Sequence, residues 1–79
     1  MPNLYVIEED QEYEDEVFTM NYYVTAPNIR EALAKWKSYV ASTINDDVRG
    51  AGGEPDTLPS DVNDPLSITL VAVEPELVL

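Results

Sequence analysis

Residues Glu8, Glu9, Asp10, Glu12, Glu14, Asp15 and Glu16 place seven carboxylates in nine consecutive positions, and no Lys or Arg precedes Arg30. Carboxylates at this density can bind a metal, work as an acid–base pair, or present charge to a cationic partner. The metal reading is weak. Asp10, Glu12 and Glu14 alternate as oxygen ligands of a calcium loop do, but Asp15 stands where such a loop needs glycine. Asp61-Val62-Asn63-Asp64 is a second oxygen-rich stretch with no better pattern. Paired carboxylates that cleave glycosides need a substrate cleft larger than a chain of 79 residues readily builds. No metal and no cofactor are expected.

Other catalytic chemistry lacks its parts. The chain has no histidine, the commonest general base, so its Ser and Thr hydroxyls have no ordinary activator. It has no cysteine, which excludes disulfides and zinc–thiolate sites. Lys35 and Lys37 sit in a helical pattern without a motif around them. Gly50-Ala51-Gly52-Gly53 follows a helix instead of leading from a strand into one, so it is no phosphate loop. An enzyme is not expected.

Charge presentation remains. The formal net charge is −12, from sixteen acidic and four basic residues. That balance disfavours direct nucleic-acid binding, which draws its affinity from Lys and Arg. It favours a protein partner with a basic, nucleic-acid-binding surface. Alternate residues on one strand face lie about 6.8 Å apart. Glu12, Glu14 and Glu16 have that spacing, and so do Glu8 and Asp10. A DNA strand carries one charge per about 3.4 Å of axis, so a row of carboxylates approximates a row of phosphates. Tyr13 lies within the run, and Tyr5, Tyr22 and Tyr23 stand near it as stacking or anchoring residues. The candidate partner-binding residues are therefore Glu8, Glu9, Asp10, Glu12, Tyr13, Glu14, Asp15 and Glu16. In size and charge the chain resembles the small acidic inhibitors that phages make against host nucleases, repair enzymes and CRISPR effectors. The likeness is one of character, carries no motif, and implies a non-enzymatic nucleic-acid mimic. The alternative is a small oligomerising module whose acidity serves solubility. Its contacts, in a homodimer for instance, would be Tyr23, Val71, Leu77, Val78 and Leu79.

The elements that must position these residues follow from periodicity. Leu4–Ile7 reads as a first strand. Val17–Thr25 reads as a second, with Phe18, Met20, Tyr22 and Val24 on its core face. The two form an antiparallel hairpin with the acidic run at its tip and adjoining strand ends. No Asn-Gly or Asp-Gly fixes the turn length. Asn28 is a good N-cap for a helix over 29–44. Its apolar stripe is Ile29, Leu33, Trp36, Val40 and Ile44, widened by Ala32 and Tyr39, with Ala41 opposite and Trp36 the central packing residue. Residues 45–65 read as a long irregular loop, pinned by Leu58 and Val62. Leu66–Val73 is a third strand, and Val71 and Val73 on its second face suggest a central, well-covered position. The terminal Glu76–Leu79 segment would add a fourth strand, pack into the core or meet another subunit.

The whole reads as one small α+β domain over 1–79: a β-β-α-β chain with a three- or four-stranded sheet, strand order 2-1-3, and one helix packed on one face. Met1-Pro2-Asn3 opens no signal peptide, and Leu70–Val73 is too short to span a bilayer. Anionic lipids would repel the acidic surface, so no membrane partner and a cytoplasmic location are expected.

Overall fold

The structure is a computed structural model, and it describes residues 2–73. Strands β1 (Asn3–Tyr13), β2 (Glu16–Ala26) and β3 (Ser67–Ala72) form a three-stranded antiparallel sheet of order β2-β1-β3. Helix α1 (Ile29–Gly50) packs on one face, and a 3₁₀ turn (Pro59–Asp61) lies between α1 and β3. This is the expected small α+β architecture, with the expected strand order. The fourth-strand alternative falls on 74–79, outside the described residues.

The hairpin is longer than the apolar runs suggest. β1 continues through the acidic residues to Tyr13, because each finds a backbone partner on β2 in an unbroken register from Asn3–Ala26 to Tyr13–Glu16. Only Glu14 and Asp15 form the turn. Glu14 has φ 56, the left-handed region that glycine usually fills in two-residue hairpins.

The helix begins where the N-cap predicts: Asn28 Oδ1 accepts from the Glu31 N–H at 2.9 Å. It runs six residues past the expected end at Ile44. Asn45, Asp46 and Asp47 are poor helix formers, but tertiary bonds hold Asn45 in place. Asn45 Nδ2 donates to the Thr57 carbonyl and Thr57 N–H donates to Asn45 Oδ1, both at 2.9 Å. The helix then stops in a Schellman arrangement. Gly52 (φ 84) donates to the Arg49 carbonyl at 3.1 Å, and Gly53 to that of Val48 at 2.9 Å. The long loop is correspondingly shorter than expected and folds back along α1. Val62 is buried there, whereas Leu58 is exposed and does not pin it.

The core lies between the sheet and α1. Ile7, Trp36, Ala41 and Val62 form one buried cluster, flanked by Tyr22, Val24, Leu33, Val40 and Ile68. Tyr5, Ala26 and Ala32 form another, in which two small residues allow α1 to approach the sheet closely. Trp36 is 2% exposed and is the central packing residue expected. The buried stripe of α1 is turned relative to the expected one. Ala41 is buried, while Ile29, Tyr39 and Ile44 are exposed. The returning segment causes this, because Val62 covers the Ala41 side of the helix.

Two further expectations are corrected. β3 is an edge strand with Leu70, Val71 and Val73 exposed, and β1 is the central one. Phe18 and Met20 occupy the helix-side face of β2 but are 46% and 41% exposed. Alternation set their facing correctly, but α1 does not extend over that end of the hairpin.

Candidate protein-binding surface on the acidic hairpin

The register divides the acidic run between two faces. Tyr5 and Ile7 point to the helix, so Leu4, Val6, Glu8, Asp10 and Glu12 of the central strand point away from it. Glu8, Asp10 and Glu12 thus form a row on the open face, with about 6.8 Å between neighbours. Their cross-strand partners on β2 are uncharged: Asn21, Thr19 and Val17. Thr19 Oγ1 donates to Asp10 Oδ1 at 3.2 Å and fixes the middle carboxylate. Glu8 is half-buried, whereas Asp10 and Glu12 are exposed.

This row differs from the expected Glu12–Glu14–Glu16 row. The strand ends at Tyr13, so Glu14 and Asp15 lie on the turn and Glu16 opens β2 opposite Tyr13. That pairing sets Glu16 on the helix-side face, away from Glu12. The alternating set is Glu8, Asp10 and Glu12, and the turn adds charge at its end.

Glu9 sits on the helix-side face beside Tyr22. Burial pushes the Tyr22 hydroxyl above its ordinary pKa, the Glu9 carboxylate adds to the rise, and Gln11 opposes it by donating to the hydroxyl at 3.3 Å. Glu9 Oε2 and Trp36 Nε1 are buried without hydrogen-bond partners, and both residues border a cleft of about 370 Å³ beside Asp61, Asn63 and Asp64. Among the described residues, no three acidic groups converge to hold a metal ion.

The expected aromatic anchors separate by burial. Tyr5 is in the core and unavailable to a partner. Tyr22 is half-buried, edge-on to Trp36 and to Tyr39 with centroids 6.0 Å apart in each case. Tyr23 is 69% exposed on the open face, and Val71 is exposed on β3. Leu77, Val78 and Leu79 lie outside the described residues.

Counter-charge is held elsewhere. Lys37 pairs with Asp64 at 2.8 Å, Arg49 pairs with Asp46 at 3.1 Å, and Lys35 Nζ donates to the Thr25 carbonyl at 2.7 Å. Among the described residues, no ion pair involves the acidic run. Two unit charges 6.8 Å apart in water repel by about 0.6 kcal/mol. The open-face row therefore holds modest unrelieved repulsion that a cationic partner would remove. The arrangement can do electrostatic recognition.

No helix among the described residues is long and apolar enough to cross a membrane. No protein-family model matches the chain, and no curated protein or solved structure shows significant similarity to it.

Proposed function

We propose that this chain is a non-enzymatic acidic inhibitor that occupies the nucleic-acid-binding surface of a cytoplasmic protein, such as a nuclease, repair enzyme or CRISPR effector. The observation that carries this reading is the Glu8–Asp10–Glu12 row on the face of the central strand turned away from α1, with all four basic residues of the chain on α1. The row repeats at about 6.8 Å, close to the axial distance of every second phosphate on a DNA strand. Thr19 holds its middle member in place, so less side-chain ordering remains to be done on binding. The turn residues Glu14 and Asp15 extend the field beyond the row and steer a basic surface towards it.

The test uses the intact chain and a variant carrying Glu8→Gln, Asp10→Asn and Glu12→Gln, whose fold is checked by circular dichroism. Each is used to capture proteins from a bacterial lysate at low and at high salt. The expected result is a nucleic-acid enzyme retained by the intact chain at low salt, displaced by duplex DNA, and lost from the variant. Partners that the variant retains equally well, and that DNA does not displace, would refute the reading and leave the acidity a role in solubility.

A further inference from the structure

The outer edge of β2 is open to pairing along most of its length. Among the described residues no strand lies beyond it. It is eleven residues long, Glu16–Ala26, with no bulge in its register against β1. Within it there is no proline, no lysine and no charge except Glu16 at its start. Edges are ordinarily blunted by such devices. The strand itself carries none of them, and Lys35 of α1 reaches the edge only near its end, at the Thr25 carbonyl, which keeps a second lone pair for a pairing strand. Its residues are β-branched or aromatic at seven positions: Val17, Phe18, Thr19, Tyr22, Tyr23, Val24 and Thr25.

The free backbone groups can be assigned. Leu66 N–H donates to the Glu8 carbonyl at 2.8 Å, so the backbone of Glu8 faces β3. Its β2 partner, Asn21, therefore sits in a non-hydrogen-bonded pair, and its own N–H and C=O point outward. Val17, Thr19, Tyr23 and Thr25 share that direction. The bond from Lys35 to the Thr25 carbonyl agrees, because only an outward carbonyl is open to it.

We propose that this edge pairs with β2 of a second copy, antiparallel and centred on Asn21, to make one continuous six-stranded sheet. Centring on Asn21, the midpoint of β2, pairs all eleven residues. It brings exposed Phe18 and Met20 beside Val24 and Tyr22 of the second copy, which completes the helix-side apolar surface that α1 leaves bare. A two-fold contact of this kind is self-complementary and closed, so it stops at two copies. The charge distribution selects the antiparallel sense. The two Glu16 residues end about 34 Å apart at 3.4 Å per residue, far beyond the screening length of about 8 Å at physiological salt. Each Glu16 instead lies at the entry to α1 of the other copy, where the helix dipole and Arg30 favour a carboxylate. The dimer surface is the strand edge, so it is independent of the acidic row on the sheet face.

The chain has no cysteine, so a single introduced thiol reports the contact without background. In the centred pair, Asn21 meets its own copy at about 5.5 Å between Cα atoms, within disulfide reach. Asn21→Cys is expected to cross-link on mild oxidation, and Val17→Cys, which faces Thr25, is not. Light scattering should give twice the chain mass for the unmodified protein. Asn21→Pro removes only outward N–H groups and should weaken dimerisation about tenfold or more while the circular dichroism persists. If Asn21→Pro fails to fold, Asn21→Lys serves, since it sets two like charges against each other. Raising salt should tighten this dimer, because both copies carry −12, whereas it should weaken binding to a basic protein. A monomer at all concentrations, or equal cross-linking of the Asn21→Cys and Val17→Cys variants, would overturn the proposal. Pairing of the edge with the 74–79 segment or with a different protein would appear as one of those two results.

Discussion

Asn45 and Thr57 exchange two hydrogen bonds, amide side chain to backbone in both directions, each 2.9 Å long. This pair fastens the returning segment to the last turns of α1 and keeps Val62 over Ala41. Asn45→Ala removes a donor and an acceptor at once from a part-buried position. The expected loss is about 1–3 kcal/mol in urea unfolding. A loss within error of zero would mean that the segment is held by Val62 alone.

Glu14 carries positive φ at the first turn position, where an L side chain costs about 1 kcal/mol or more. Glu14→Gly should therefore stabilise the hairpin by about 1 kcal/mol, seen as a melting temperature about 4–8 °C higher. Asp15→Gly should give no such gain, because Asp15 does not share the left-handed backbone. Equal gains for both would show that removing charge, not relieving backbone strain, is responsible.

Tyr22 sets an alkaline limit. Its folded pKa is raised from the ordinary 10.0, first by burial and then by Glu9. The folded state thus holds this proton more tightly than the unfolded state. The resulting stability is fully present below about pH 10 and is lost as pH rises through the folded value. Tyr22→Phe should flatten that alkaline fall in stability relative to the unmodified chain. An unchanged slope would assign the fall to other groups.

Glu12 is exposed, belongs to the repelling row and has no ion-pair partner among the described residues. Glu12→Gln should raise stability by a few tenths of a kcal/mol at low salt, and the gain should vanish near 1 M salt, where screening acts within about 3 Å. Thermal melts at the two salt concentrations read this directly. A stabilisation that survives high salt would point to packing by the new amide.

Periodicity and capping chemistry located the hairpin, the N-cap at Asn28 and the central place of Trp36, because each has a local cause. The strand order came from connection topology, and the apolar pattern of β3 wrongly suggested a central place for it. What periodicity missed depended on tertiary coverage. Phe18 and Met20 alternate correctly, but alternation does not say how far α1 extends. Ala41 reads as a polar-face residue until a returning segment covers it. The end of α1 was visible in principle, since Gly50-Ala51-Gly52-Gly53 is a natural C-terminal stop. Asn45, Asp46 and Asp47 masked it, for all three are poor helix formers and the bonds that hold Asn45 come from Thr57, far along the chain. The make-up of the carboxylate row turned on which two residues form the turn, and no Asn-Gly or Asp-Gly marked them.

β3 pairs with β1 only from Leu4 to Glu8, so the hairpin from Glu9 to its turn has two strands where its base has three. A two-stranded ribbon is weakly held by itself and twists more than a wider sheet. In a single copy the acidic end is therefore a compliant arm on a rigid root, which pairing of β2 with a second copy would stiffen. It can wind to follow a curved groove, and the carboxylates wind with it, while Trp36 and its neighbours keep their packing. Backbone amides should exchange with solvent in a gradient along β1, fastest near Tyr13 and slowest near Tyr5. Shape adjustment is thus confined to the segment that carries the charge.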